Sequence, residues 1–229
     1  MKLAIMQPYF LPYIGYFQLI HSVDRFVYYD DVSYIKQGWI NRNRILLNKK
    51  EFLFTLEVKG AGSFKKINEV TVGTNRLKLL KTFLQAYSRA PFLKDIEPLL
   101  SRIFNQDETN LSRFIFSSNQ IVIEYLGITT PIVLSSEITK NNELKGQDKV
   151  IDICNKLRAT TYINSIGGKG LYSKEAFSSA GIDLKFLQDN AKPYNQTENG
   201  FIPGLSIMDV LLNNSQTEIR EMLNQYELT

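Results

Sequence analysis

The start of the chain predicts a parallel strand–helix–strand unit, which constrains the fold more than any other part of the sequence. An apolar run at Lys2–Met6 is typical of a buried strand, and a loop rich in proline and tyrosine follows it directly. A helix ending at His21 and a second strand at 25–29 come next. Strands joined in this way are normally parallel, and ligands bind where such strands end. We therefore expect a binding cleft within a few residues of Met6.

Strand and helix patterns alternate again in the last third of the chain. Apolar strands are predicted at 131–134, 161–164 and 182–187, with helices at 148–157 and 173–180 between them. This alternation predicts an α/β fold with a mostly parallel sheet and helices on its faces.

The segment from about 74 to 127 predicts only helices. Thr74 and Thr109 occupy positions where N-cap residues are favoured, and Pro91 interrupts the helical pattern between them. One domain over residues 1–229 with a helical insertion explains this order more simply than two domains.

Shorter patterns complete the secondary-structure prediction. A hairpin turns at 48–50 and a strand follows at 67–72, while the segment from Leu205 to the end is predicted to be helical. Ser206 and Asp209 have the spacing of a helix cap and its partner.

Composition restricts the classes of function. With 44% hydrophobic and 22% charged residues, the chain has the balance of a folded globular protein. Its net charge of +4 comes from scattered basic residues, which suits an anionic small molecule or a nucleotide and does not indicate nucleic acid. No segment has the roughly 18 apolar residues of a membrane span, and no signal peptide is evident, so we expect a cytoplasmic protein.

The chain has one cysteine and one histidine. Cys154 lies in an apolar helical pattern and is interpreted as a buried structural thiol. No disulfide can form within the chain, and a lone Cys with His21 cannot build a zinc site, so no metal-ligating set is predicted.

The first candidate cluster is the loop after the first strand. Gln7, Tyr9 and Tyr13 could contact a substrate, while two prolines stiffen the loop. Gly15 leaves room for a phosphate at the start of the helix. The alternative is a rigid turn with packed tyrosine rings.

The second cluster follows the second strand. Asp30 and Asp31 should point to opposite sides, so one of them could hold a metal-bound phosphate, an amine or a ribose hydroxyl. We predict that Arg42 and Arg44 also alternate, leaving one free to clamp an anion, while Trp39 could stack on a base or sugar ring. The alternative is a solvated loop with ordinary salt bridges. The other polar and aromatic members of this cluster are Tyr34, Lys36, Asn41 and Asn43.

The third cluster runs from Asn164 to Gly170. Gly167 and Gly168 follow a strand and expose backbone N–H groups suited to phosphate, and Lys169 adds a positive charge. The Walker A spacing is absent, so an ordinary glycine turn is the alternative.

Several of these segments together resemble one protein family. The residues at 6–20, 26–32, 38–44, 162–168 and 201–209 are similar to the motifs of the WbqC-like family, and Tyr172, Tyr194 and Gln196 lie in further matching positions. The resemblance covers nearly the whole chain. It implies a role in bacterial surface-polysaccharide (O-antigen) biosynthesis, in which glycine or another amino acid is transferred to the amine of a nucleotide-linked amino sugar.

An analogy at the level of the fold adds a mechanism. The first strand, its loop and the strand ending at Asp30 look like the opening of Rossmann-like nucleotidylyltransferases, although the histidine pair of those enzymes is absent here. The analogy implies ATP and Mg²⁺ as cofactors and an acyl-adenylate as the activated form of the amino acid. Asp30 or Asp31 would hold the metal or the substrate ammonium, and basic side chains would offset phosphate charge.

These inferences give one prediction for the site. The catalytic candidates are Asp30, Asp31, Lys36, Arg42 and Arg44. The substrate-binding candidates are Gln7, Tyr9, Tyr13, Gly15, Tyr34, Trp39, Asn41, Asn43, Asn164, Gly167, Gly168, Lys169, Tyr172, Tyr194 and Gln196.

Two other functions stay open at this point. One is nucleotidyl transfer to a sugar phosphate, which would be stimulated by the sugar phosphate instead of an amino acid. The other is non-catalytic binding of a sugar nucleotide, which the scarcity of titratable groups favours.

Overall fold

A mostly parallel sheet forms the centre of the computed structural model, which describes residues 1–62, 64–196 and 200–229. The strands in chain order are β1 (Lys2–Met6), β2 (Arg25–Tyr28), β3 (Arg42–Leu47), β4 (Lys50–Thr55), β5 (Val58–Lys59), β6 (Thr71–Val72), β7 (Ile132–Leu134), β8 (Thr161–Ser165), β9 (Asp183–Asp189) and β10 (Tyr226–Leu228). The central sheet has the order β10-β9-β8-β1-β2-β7, and β10 runs antiparallel to its neighbour.

Helices cover both faces of this sheet. They are α1 (Ile14–His21), α2 (Arg76–Ala86), α3 (Leu93–Phe104), α4 (Leu111–Leu126), α5 (Gly146–Lys156), α6 (Lys174–Ser179), α7 (Ile207–Asn213) and α8 (Gln216–Met222). Leu3 and Ile5 pack on the side of α5 and α6, whereas Ala4 between them packs on the side of α1 and α4. Successive strand side chains point to opposite faces, so the apolar run of β1 serves two cores.

The strand order reverses between β1 and β8. From β1 the chain moves outward through β2 to β7, and it then returns to the other side of β1 with β8 and β9. The carboxyl ends of β1 and β8 diverge at this point, which is where parallel α/β sheets form a ligand crevice.

The predicted α/β class and mostly parallel sheet are confirmed, and three helices occupy the predicted helical segment. The division into one domain with an insertion stays a prediction. Cys154 is fully buried, and burial raises the pKa of its thiol to about 12, as expected of a structural cysteine.

Four local predictions were wrong. Thr74 is not a cap, because its hydroxyl donates to Glu57, and Asn110 instead of Thr109 caps α4 by accepting from the Arg113 N–H. The segment at 67–72 is a 3₁₀ turn followed by the two-residue β6. The C-terminal segment ends in β10, whose pairing with β9 lies outside what local periodicity can detect.

A buried glutamine links α1 to the C-terminal segment. Gln18 is fully buried, and its Nε2 donates to the carbonyl oxygens of Met222 (2.8 Å) and Gln225 (3.0 Å). These bonds fix the turn that leads into β10.

We expect Gln18→Ala to lower the free energy of unfolding by about 2 kcal/mol, because two carbonyl groups lose their donor. Urea denaturation followed by circular dichroism measures this change. Gln85→Ala, on the exposed side of α2, is the matched control and should stay within about 0.5 kcal/mol of wild type. Equal midpoints for both variants would contradict the role of Gln18.

Candidate functional site

A cavity of about 680 Å³ lies where the strand order reverses, at the carboxyl ends of β1 and β8. Its walls are aromatic, aliphatic, small polar, amide and glycine residues, and nine of the lining residues were predicted from the sequence: Gln7, Tyr9, Tyr13, Gly15, Trp39, Asn164, Gly167, Gly168 and Tyr172. We call this space the main cavity. The expectation of a cleft at the first strand end is therefore met.

Several residues of the main cavity were missed. Tyr29 follows β2, Ser165 ends β8, and Ile35 and Leu171 lie at the mouth. Ser165 could have been found by the same criterion of following a predicted strand, whereas Tyr29 is the last residue of the predicted second strand. The exposed positions of Ile35 and Leu171 depend on loop geometry, for which the sequence carries no signal.

The loop after β1 is held rigidly. Leu11 has the left-handed backbone conformation with φ 48°, which is unfavourable for a residue with a β-carbon. Its carbonyl oxygen accepts hydrogen bonds from Asn43 Nδ2 and Ser206 Oγ, both at 2.8 Å. The loop is therefore fixed from two sides, by β3 and by the segment that begins α7.

The first turn of α1 forms one wall of the main cavity. Gly15 lies in this turn, and a β-carbon built on it would be 2.4 Å from the ring of Tyr13. Tyr13 stands at the N-cap without a side-chain hydrogen bond to the turn, and its hydroxyl lies 3.4 Å from Ser165 Oγ. The N-terminus of α1, which is the positive end of its helix dipole, thus adjoins the cavity. An anion is favoured at this position.

The glycine segment after β8 forms the opposite wall. Residues 166–171 make a 3₁₀ turn, and the buried Asn164 orients it by accepting from the Ser165 N–H and donating to the Tyr162 hydroxyl. A β-carbon on Gly168 would lie 3.2 Å from Asn164 Oδ1, so the turn requires a small residue there. Lys169 is exposed and does not line the cavity.

A smaller space of about 300 Å³ adjoins the main cavity. It shares Tyr9, Tyr13 and Trp39 with the main cavity and is completed by Pro12, Asn43, Arg44 and Gly204. We call it the second compartment. Three aromatic rings at the junction allow two ligands, or two parts of one ligand, to lie side by side.

Arg42 and Arg44 do not point to opposite sides, and this prediction was wrong. Both guanidinium groups lie over the Trp39 ring, at 5.8 and 5.7 Å from its centroid, because residues two apart in a strand share a face. Arg42 Nε donates to the Gly38 carbonyl, and Arg44 Nη1 pairs with Glu51 at 2.8 Å. The buried Arg44 Nε has no hydrogen-bond partner among the described residues.

Asp30 supports the backbone and does not line either space. The residue is 1% exposed, and its carboxylate accepts from the Ser136 N–H at 2.9 Å, from Ser136 Oγ at 2.7 Å and from Asn68 at 3.4 Å. These bonds join the end of β2 to the turn that follows β7.

Asp31 is a buried ion-pair centre. Its Oδ2 lies 2.9 Å from Lys140 Nζ and 3.3 Å from Lys149 Nζ. Burial alone would raise the pKa of this carboxyl, but the hydrogen bond from Lys140 and the charges of both lysines hold the pKa below its usual value. Neither carboxylate suits a protein-held Mg²⁺, because three hydrogen bonds already reach Asp30 and two ammonium groups already offset the charge of Asp31. The buried Asp31 Oδ1 has no hydrogen-bond partner among the described residues.

The remaining predicted residues of the second cluster lie apart from the cavities. Tyr34 is buried and donates to Asn41 Oδ1, and Asn41 Nδ2 donates to the Leu56 carbonyl, so this pair stabilises the loop before β3. Lys36 is exposed on that loop.

Tyr194 and Gln196 face a buried carboxylate instead of the main cavity. Asp209 accepts from Tyr87 (2.7 Å), Tyr194 (2.6 Å) and Gln196 (2.8 Å). Its interpretation as the partner of a helix cap was wrong, although Ser206 does cap α7. Burial raises the pKa of Asp209 despite these three donors. The cluster anchors the segment that carries Gly204 to the second compartment.

The sequence as a whole matches a protein family. The model of the WbqC-like protein family matches residues 7–221. The chain belongs to this family. A curated relative, the uncharacterized protein Rv1507c of Mycobacterium tuberculosis (strain ATCC 25618 / H37Rv), is 31% identical over 217 residues, which cover 93% of each chain. No solved structure is significantly similar to the chain.

The matched region contains every residue of the main cavity except two in β1, Ile5 and Met6. Within the described parts of the chain, no helix is long and apolar enough to cross a membrane.

We expect the Asp31 ion pair to make stability depend on acidic pH. Because the folded-state pKa lies below the usual 3.8, the ionised carboxylate stabilises the protein fully above that value, and this contribution is lost as the pH falls through the folded-state pKa. Asp31→Asn should lower the free energy of unfolding by about 3 kcal/mol or more at neutral pH, because two buried lysines lose their counter-ion.

Urea denaturation from about pH 2 to about pH 7 measures this effect. The difference in free energy of unfolding between wild type and Asp31→Asn should become smaller at the acidic end of this pH range. Asp183→Asn, which removes an exposed partner of Lys185, is the matched control and should change little at any pH. Parallel stability curves for wild type and Asp31→Asn would contradict the prediction.

Proposed function

We propose that the chain is an aminoacyl transferase that binds a nucleotide in the main cavity and transfers glycine or a similar amino acid to the amine of a nucleotide-linked amino sugar. The observation that carries the proposal is the pair of adjoining spaces, which meet at Tyr9, Tyr13 and Trp39 at the point of strand-order reversal. A transferase with two substrates needs such neighbouring sites. A role in bacterial surface-polysaccharide biosynthesis is part of the same proposal.

The strand order supports a nucleotide as one ligand. Counted along the chain, the parallel strands have the spatial order 3-2-1-4-5, as in the first five strands of dinucleotide-binding sheets. We therefore propose a Rossmann-like fold related to nucleotidylyltransferases. The start of α1 at Gly15 and the glycine turn at Gly167 and Gly168 both adjoin the cavity and offer backbone N–H groups to phosphate.

The character of the lining restricts the chemistry. Among the described residues that line the main cavity, none is Asp, Glu, Lys, Arg or His. Burial raises the pKa of Tyr9, Tyr13 and Tyr172, so their hydroxyls stay protonated and can donate hydrogen bonds. Such a cavity orients and holds groups but offers no general base.

Adenylation of a carboxylate is compatible with such a site. A carboxylate oxygen attacks the α-phosphorus of ATP as pyrophosphate leaves, and it needs no base because it is already ionised. The amine then attacks the activated carbonyl, AMP leaves, and one proton is released. Any Mg²⁺ would be carried by the ATP phosphates and not by Asp30, which accepts from Ser136, or by Asp31, whose charge two lysines offset.

The second compartment is proposed for the other substrate. Trp39 is 48% exposed and offers a ring face on which a sugar or base can stack. The guanidinium group of Arg44, which lines this space beside Trp39, suits a carboxylate or phosphate oxygen.

The lack of titratable groups in the main cavity also favours a second candidate, non-catalytic binding of a sugar nucleotide. The two candidates predict the same ligand contacts but differ in turnover.

Ligand-induced thermal stabilisation, followed by a pyrophosphate-release assay, tests the proposal. We expect stabilisation by ATP with Mg²⁺ and by a nucleotide-linked amino sugar, and glycine should stimulate pyrophosphate release. Release stimulated by a sugar phosphate would instead indicate nucleotidyl transfer. Stabilisation by the sugar nucleotide alone, without turnover, would leave only the binding function.

Trp39→Ala should lower the affinity for the nucleotide-linked sugar by about tenfold or more, because a stacking surface is lost. Titration calorimetry measures the affinity. Phe52→Ala, which removes a partly exposed ring from β4 outside both spaces, is the control and should bind normally. Equal affinities for the two variants would contradict stacking on Trp39.

Gly15→Ala should abolish stabilisation by ATP without lowering the melting temperature of the free protein. The new methyl group would displace the Tyr13 ring into the cavity, while alanine improves helix propensity by up to about 1 kcal/mol. The matched control is Gly170→Ala, since a β-carbon there has no atom within 4 Å and Gly170 does not line the cavity. An unchanged response of Gly15→Ala to ATP would place the phosphates elsewhere.

A further inference from the structure

Large apolar side chains are exposed around the mouth of the main cavity. Ile35 is 52% exposed, Trp39 48%, Phe64 99% and Leu171 72%. They come from three loops that are far apart in the sequence. We call these four residues the apolar rim. Folded proteins rarely expose clustered apolar side chains unless the cluster binds something.

The three loops are neighbours in space. Ile35, Trp39 and Leu171 all line the main cavity. Ser33 forms an antiparallel bridge with Lys66, and the Tyr34 N–H donates to the Lys65 carbonyl at 2.8 Å. Continuing this register puts Phe64 opposite Ile35. The rim therefore surrounds one side of the cavity mouth and extends from it through Phe64.

The loop segments that carry the rim have charged residues of one sign only. The sequence segments 33–39, 59–66 and 166–171 contain five lysines and no aspartate or glutamate. Lys36, Lys65, Lys66 and Lys169 are exposed in the structure. The nearby Glu69 accepts a hydrogen bond from the Lys66 backbone N–H.

We propose that the apolar rim and its lysines form a docking surface for an anionic lipid membrane. Exposed aromatic and aliphatic side chains surrounded by lysines are the arrangement with which a protein lies on a membrane surface without crossing it. The aliphatic Ile35 and Leu171 favour acyl chains over nucleic acid, because aliphatic side chains do not stack on bases. This inference does not depend on the proposed enzymatic activity, and docking places the cavity mouth at the level of the lipid headgroups.

Vesicle flotation with the full-length chain tests the proposal. The probe is a vesicle of phosphatidylcholine with about one third phosphatidylglycerol, compared with phosphatidylcholine alone. We expect binding to the anionic vesicles that weakens as salt is added. Phe64→Ser should weaken this binding by about tenfold, and Lys65→Gln with Lys66→Gln by about fivefold for each charge removed.

The chain offers a matched control for each variant. Leu77→Ser removes an exposed apolar side chain from α2, and Lys78→Gln with Lys81→Gln removes two exposed charges from the same helix. Both controls should bind vesicles like wild type. Phe64 lines neither cavity and is fully exposed, so its variant should keep the wild-type melting temperature and ligand affinity.

Three results would overturn the proposal. The first is no binding to anionic vesicles, and the second is an equal loss of binding in Phe64→Ser and Leu77→Ser. The third is binding of a single-stranded oligonucleotide through the same residues without binding to vesicles, which would make the surface a nucleic-acid site. Vesicle binding by wild type that is weakened in Phe64→Ser but not in Leu77→Ser supports the inference even if ATP and the sugar nucleotide give no thermal stabilisation.

Discussion

The carbonyl oxygen of Leu11 is the contact on which the site depends. It faces Asn43 and Ser206 because Leu11 adopts a left-handed backbone conformation that costs roughly 1–2 kcal/mol. Two hydrogen bonds in a buried setting offset this cost. The same atom thereby joins the N-terminal loop, the β3–β4 hairpin and the start of α7. Joining these three segments helps to bring Tyr9, Tyr13 and Gly204 together around the second compartment, and the bonds from Ile207 N–H to the Pro12 carbonyl and from Ser206 N–H to the Arg44 carbonyl act in the same way.

Buried charge and ligand space are separated in this protein. Asp31 with its two lysines and Asp209 with its two tyrosines lie inside the walls, whereas the main cavity is lined by neutral groups. Buried carboxylates with several donors hold loops in one arrangement, since losing a partner leaves an unpaired charge. The cavity between them can therefore keep its shape while depending on hydrogen bonds and ring contacts for selectivity.

The parts of the site that sequence could predict are those set by local pattern. Gln7 follows one apolar strand and Asn164 lies near the end of another, and parallel strands end at one edge, so their proximity follows from topology. Prediction failed where a partner elsewhere in the sequence determines which way a side chain points. Tyr194 and Gln196 donate hydrogen bonds to Asp209. Asp30 accepts a hydrogen bond from Ser136, which is more than a hundred residues away. The Arg42 and Arg44 error was of another kind, because the two-residue period of a strand already places them on one face.

The position of β1 has a consequence for how the protein is made. Leu3 pairs with Arg25 on one side and with Tyr162 on the other, so the first neighbour is synthesised soon after β1 and the second much later. Until β8 leaves the ribosome, one edge of β1 has unpaired backbone groups, which favour pairing with other chains. The main cavity has no second wall during that interval. The cavity therefore forms only after the stage at which the unpaired edge of β1 favours aggregation.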